Sequence, residues 1–93
     1  MEANLFSANL SGAKLWGVRL VEANLTQANL TGADLKWANL TGADLTEADL
    51  RDANLAHANL TGVKLYKTIM PDGNIYSTPS INTGLLDRVV YCF

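Results

Sequence analysis

The chain has 93 residues, 48% hydrophobic and 17% charged, with seven Lys and Arg set against nine Asp and Glu for a net charge of −2. That is the size of one small domain, too small for a generous globular core, and the interspersed charges form no basic footprint for nucleic acid. A single cysteine, Cys92, excludes an intramolecular disulfide and cannot make a zinc site with the single His57; a packed thiol and a surface imidazole are the expectation.

The first ten residues, MEANLFSANL, lack the basic and apolar regions of a signal peptide. No run of about 18 apolar residues follows anywhere, so the expectation is a cytoplasmic chain with no membrane partner.

From Ala3 to Lys67 the sequence keeps a five-residue beat, A-[N/D/K/R]-L-x-x, through thirteen consecutive repeats without insertion or deletion. Leu stands at every fifth position from 5 to 65, and Met70 falls on the next beat. The residue two before it is Ala in eleven repeats and Val in two, Val18 and Val63. A step of five fits neither a helix face nor a strand face, so the chain must turn once per repeat. Within an extended segment, side chains two apart face the same way, which points Ala and Leu inward together and the residue between them outward. Winding all pentads round one axis gives a coil whose turns stack with backbone hydrogen bonds about 4.8 Å apart, a solenoid with an interior too narrow for much beyond Ala at one inward place. The two trailing residues carry the bend and are mostly Thr, Gly, Ser, Glu, Asp and Lys.

The runs ANLTQANLTGADL and ANLTGADLTEADLRDANL closely match A-(D/N)-L-x-x, and the sequence resembles the pentapeptide-repeat family over roughly 70% of its length. The resemblance implies an all-β fold, a right-handed quadrilateral parallel β-helix with four pentads per coil, one on each face. Residues 1–67 would then form the β-helix, about three and a quarter turns and on the order of 15 Å along the axis, with 68–93 as a capping segment. Residues twenty apart become stacked neighbours. Lys14 meets Asp34, Asp44 meets Lys64, Asn4 lies beside Asn24 and Asn39 beside Asn59. The departures from Asn or Asp, at Lys14, Arg19 and Lys64, fall at an outward position that tolerates them.

After Lys67 the beat gives way to TIMPDGNIYSTPSINTGLLDRVVYCF. Pro71-Asp72-Gly73-Asn74 marks a turn, Ile75 and Tyr76 suit a short strand, and residues 77–80 read as a loop. Residues 84–93 suit a short helix capped by Asn82 or Thr83 and burying Leu85, Val89 and Phe93, or a strand through residues 89–91. Either supplies the lid that an open solenoid end needs. The TIMPDG ending also resembles those of family members from photosynthetic bacteria.

Chemistry is sparse. Five N-glycosylation sequons, at Asn9, Asn24, Asn29, Asn39 and Asn59, are by-products of the repeat. The acidic stretch Asp44, Glu47, Asp49 and Asp52 reads as a solvated face, because outward positions on a convex rod form no cleft. No catalytic residue, metal ligand or cofactor site is expected. The candidate interaction residues are Trp16, Lys36, Trp37 and His57, trailing positions on one predicted face where Lys36 stacks over Trp16 and His57 over Trp37. Phe6 and Tyr66 lie on another face near opposite ends. A second candidate is the first coil, whose Leu5, Leu10, Leu15 and Leu20, with Ala3, Ala8 and Ala13, are expected to be exposed and to favour a homodimer or another cover.

These features point to a non-catalytic interaction module for a protein partner. The family resemblance supplies one alternative, a DNA-mimicking gyrase-binding protein, which calls for a longer and more negative rod. Another is a repeat domain of a larger regulatory or signalling chain.

Overall fold

The computed structural model describes residues 3–77, and they form a quadrilateral parallel β-helix. Ten parallel bridges, from Asn4–Asn24 to Asp49–Ile69, all join residues twenty apart, so four pentads make one coil. The bonds repeat down each face. Leu5 N–H donates to Asn24 C=O at 2.8 Å and Asn24 N–H donates to Ala3 C=O at 2.8 Å, and the pattern recurs at Leu10, Leu15 and onward.

At twelve corners the inward Leu accepts from the Ala or Val three residues on, as Leu35 C=O does from Ala38 N–H at 3.0 Å. The second trailing residue of all thirteen pentads has positive φ, as position i+2 of a type II turn requires. Five of these are glycines. The other eight are Ser7, Glu22, Gln27, Trp37, Glu47, Asp52, His57 and Lys67, at φ between 51° and 63°. That conformation costs an L residue on the order of 1 kcal/mol, a strain the stacked coils hold in place.

The outward Asn and Asp residues hold these corners. At ten pentads the side-chain Oδ1 accepts the N–H two residues on, from Asn4 with Phe6 to Asn59 with Thr61, at 3.0–3.2 Å. This explains an outcome that register alone did not foretell. Lys14–Asp34 and Asp44–Lys64 are stacked neighbours, yet neither forms an ion pair. Each carboxylate is already turned toward its own corner, Asp34 to Lys36 N–H and Asp44 to the N–H and hydroxyl of Thr46.

The core is a column of stacked Leu with Ala between them. Leu25, Leu35 and Leu55 are fully enclosed, as are Ala43 and Ala48. The ladder reaches Ile69, and Met70 takes an inward place. The chain then reverses. β1, Thr68–Ile69, pairs antiparallel with β2, Ile75–Tyr76, through a turn closed by Met70 N–H to Asn74 C=O at 2.8 Å, and Tyr76 packs on the core. Leu55, Leu60 and Leu65 in the last coil are buried, whereas Leu5, Leu10 and Leu15 in the first are only half-buried. Leu20 departs from the expected exposed end: it is 8% exposed and belongs to the core, since the chain has by then climbed one coil above Ala3. The expected helix or strand over residues 84–93, and Cys92, lie outside the described residues.

Candidate functional site

Register places Trp16 and Lys36 in one column of a corner and Trp37 and His57 in the next. Gly17 N–H donates to Lys36 C=O at 2.8 Å and Trp37 N–H to Ala56 C=O at 3.0 Å, which fixes the alignment. The Trp37 and His57 rings stack with centroids 4.3 Å apart and planes 15° from parallel. Both residues carry positive φ, so the corner geometry itself throws the two rings outward, one above the other. Trp16 is 62% exposed and Trp37 55%. The cation–π contact forms at a different corner from the Trp16–Lys36 column, with Lys67 Nζ 5.4 Å from the Tyr66 ring.

The neighbouring corners are occupied differently. Ser7, Gln27 and Glu47 form a polar ladder, Ser7 Oγ donating to Gln27 Oε1 at 3.3 Å and Gln27 Nε2 to Glu47 Oε1 at 3.0 Å. A shallow groove follows the corner where Gly42 and Gly62 lack side chains, lined by Glu22, Asp44 and Lys64 among others. Nothing in composition marked the ladder, but counting in twenties brings Ser7, Gln27 and Glu47 together.

The acidic stretch does not form a cluster. Five residues advance the chain by one face, so Asp44 and Asp49 sit on adjacent faces and Glu47 and Asp52 on separate corners. Among the described residues, no three of His, Cys, Asp and Glu come together as a metal would need. Asp49 is instead paired with Arg51, whose Nη2 donates to Oδ2 at 2.7 Å. The guanidinium hydrogen bond holds the Asp49 carboxyl below its usual range, against an opposing push from desolvation, and raises Arg51.

A carboxylate with a lowered folded pKa stabilises the fold fully above the ordinary carboxylate pKa of about 4, and loses that contribution as pH falls through the folded value. Arg51→Ala is therefore expected to raise the Asp49 titration midpoint in a carbon-detected NMR titration. Its melting temperature should lie slightly below that of the native chain at neutral pH, and the gap should close in acid. Arg51 is 58% exposed and Asp49 22%, so solvent screens the pair and the neutral-pH gap is small.

Among the described residues, no helix is long and apolar enough to cross a membrane. A pentapeptide-repeat family model of eight copies matches residues 3–42 and 33–71. No curated protein matches. Among solved structures, a pentapeptide repeat protein of the Arabidopsis thaliana thylakoid lumen is 34% identical over 72% of this chain and 50% of its own, with a TM-score of 0.62. Rfr23, a pentapeptide repeat protein of the cyanobacterium Cyanothece, is 33% identical over 73% of this chain and 57% of its own, with a TM-score of 0.44. HetL, a pentapeptide repeat protein of the cyanobacterium Nostoc involved in regulating heterocyst differentiation, is 28% identical over 82% and 51%, at 0.37. The chain thus spans about half the length of these relatives. With the five-residue beat, the twenty-residue register and the family match over residues 3–71 in agreement, the chain belongs to the pentapeptide repeat family.

Proposed function

We propose that this chain is a non-catalytic interaction module and that the corner bearing Trp16, Lys36, Trp37 and His57 receives a protein partner. The observation that carries the reading is the pair of largely exposed indoles on one corner, with Trp37 set on the flat face of His57. Exposed aromatics held rigid by their backbone are the usual anchors of a protein interface, because they bring large area at little cost in lost side-chain freedom. Among the described residues, the convex faces beside the corner form no enclosed cleft in which a substrate could be desolvated. The carboxylates of the acidic stretch are already engaged with their own turns, with Arg51 or with Gln27, except Asp52.

The test is affinity capture with the native chain and with Trp37→Ala, followed by measured affinities for any protein retained by the native chain alone. Truncating an anchor indole should weaken such a partner about tenfold or more while leaving the melting temperature nearly unchanged. An identical set of captured proteins at equal affinity would refute the site.

A further inference from the structure

The two ends of the β-helix differ in their main chain as well as in burial. In every upper coil the outward residue points both its N–H and its C=O toward the coil before it, as Asn24 does with Ala3 and Leu5. By the same geometry Asn4, Asn9, Lys14 and Arg19 point theirs away from the second coil, and none of these eight groups has a hydrogen-bond partner among the described residues. One such residue lies on each face. Behind them Leu5, Leu10 and Leu15 are half-buried and Ala3 is exposed.

A residue that presents donor and acceptor to the same side is half of a hydrogen-bonded antiparallel pair, in which two residues exchange both bonds. Turning a copy of the chain over by a two-fold axis perpendicular to the solenoid reverses the direction of every strand, so edge meets edge antiparallel on all four faces. The edge is a ramp, climbing one strand spacing of about 4.8 Å over a coil and ending in a step. Two such ramps stay in contact all the way round only when the axis passes through the step. Faces counted forward from the step then meet faces counted backward, which sets Asn4 against Arg19 and Asn9 against Lys14.

Side-chain charge selects the same register. The three other ways of matching four faces put Lys14 on Lys14, Arg19 on Arg19, or Lys14 on Arg19, and like charges directly opposite destabilise a strand pair. The register fixed by the ramp is the one in which each cation faces an Asn. It also brings the corner of Phe6, 54% exposed, to the corner of Trp16, and it puts Ser11 and Gly12, both small, at the corner the two-fold axis crosses. A Cβ built on Gly12 would meet nothing within 4 Å, so the approach there is open.

We propose that two copies of this chain pair end to end through the first coil, Asn4 facing Arg19 and Asn9 facing Lys14 of the second copy. This interface reaches the Trp16 end of the corner proposed above but does not use Trp37 or His57, so its test at Asn9 and Lys14 is independent of the Trp37→Ala test there. Both first-coil edges and both half-buried apolar ends are satisfied at once, and the two-fold pairing closes on itself, since it uses the first coil of both copies.

Sedimentation over a concentration range should show the 93-residue chain passing from monomer to dimer and no further. Asn9→Lys sets like charges on Lys14 twice in the symmetric pair and should raise the dissociation constant about tenfold over that of Asn9→Ala, which loses the same corner bond to Ser11 N–H without adding a charge. Register is read by crosslinking in a Cys92→Ser background. The facing Cα atoms of a hydrogen-bonded pair lie about 5.5 Å apart, within disulfide reach. The double variant Asn9→Cys with Lys14→Cys should form a covalent dimer under mild oxidation, and neither single variant should. A monomer at all concentrations with no crosslink would overturn the proposal. So would growth beyond a dimer, or crosslinking of Lys14→Cys alone as fast as the double variant.

Discussion

Leu35→Ala is expected to lower the unfolding free energy by about 2–5 kcal/mol, read as a shift of the urea midpoint at nearly constant slope. Leu35 is fully enclosed and stands in one column with Leu15 below and Leu55 above. Removing three carbons there leaves a void that the coil cannot close, because its backbone is pinned on both sides, by Leu35 N–H to Asn54 C=O and by Asp34 N–H to Ala13 C=O. Leu15→Ala should cost markedly less, since Leu15 is half-buried and has no coil beneath it among the described residues. Asn39→Ser should cost least. Its side chain lies outside the core, and a serine hydroxyl can still accept the Thr41 N–H that Asn39 Oδ1 holds at 3.1 Å. Equal losses at Leu35 and Asn39 would mean that the inward and outward assignments are wrong. In a stacked array each coil is stabilised chiefly by its neighbours, so a central loss is felt on two interfaces and a terminal one on a single interface.

That ordering was legible from the sequence because it depends on a period. A beat of five demands a turn per pentad, and the two-residue alternation puts Ala and Leu on the same side, whatever else the residues do. Side-chain partners were less legible. Register predicts that Lys14 lies beside Asp34, but not that Asp34 spends its oxygen on the Lys36 amide, because a local turn contact and a cross-coil ion pair compete for one carboxylate. The local contact fixes few extra side-chain angles, while the ion pair must order a long lysine at an exposed site for little gain. Trp37 and His57 could be placed by counting in twenties, and the stack follows from the count. Trp16 and Lys36 share a column on the same count, but a column position does not dictate where a flexible lysine head goes. The exposure of Leu5, Leu10 and Leu15 and the burial of Leu20 differ because a helical edge is a ramp, a feature invisible when coils are drawn as flat squares.

Thr68 is the residue whose role the repeat conceals. It stands five after Val63, on the beat where Ala is the rule, and it is completely buried. Its hydroxyl donates to Leu45 C=O at 2.6 Å and accepts from Tyr66 N–H at 3.2 Å. The second bond answers a local deficit. In ten other pentads the outward Asn or Asp supplies the oxygen for that corner N–H, but here the outward residue is Lys64, which has none. Restoring the family's alanine by Thr68→Ala is therefore expected to destabilise the fold by about 1–3 kcal/mol, the cost of leaving a partly buried donor without an acceptor. Leu45 C=O keeps its bond from Ala48 N–H at 3.0 Å, so the loss falls on Tyr66. Adding Lys64→Asn should recover much of it, because an Asn side chain there can take the Tyr66 N–H as Asn59 takes that of Thr61. Alone, Lys64→Asn should change stability little, since the hydroxyl already serves. A thermodynamic cycle over the native chain, the two single variants and the double variant thus has a favourable coupling of about 1 kcal/mol between positions 64 and 68. Strict additivity would show that the Thr68 hydroxyl and the missing outward oxygen do not substitute for one another.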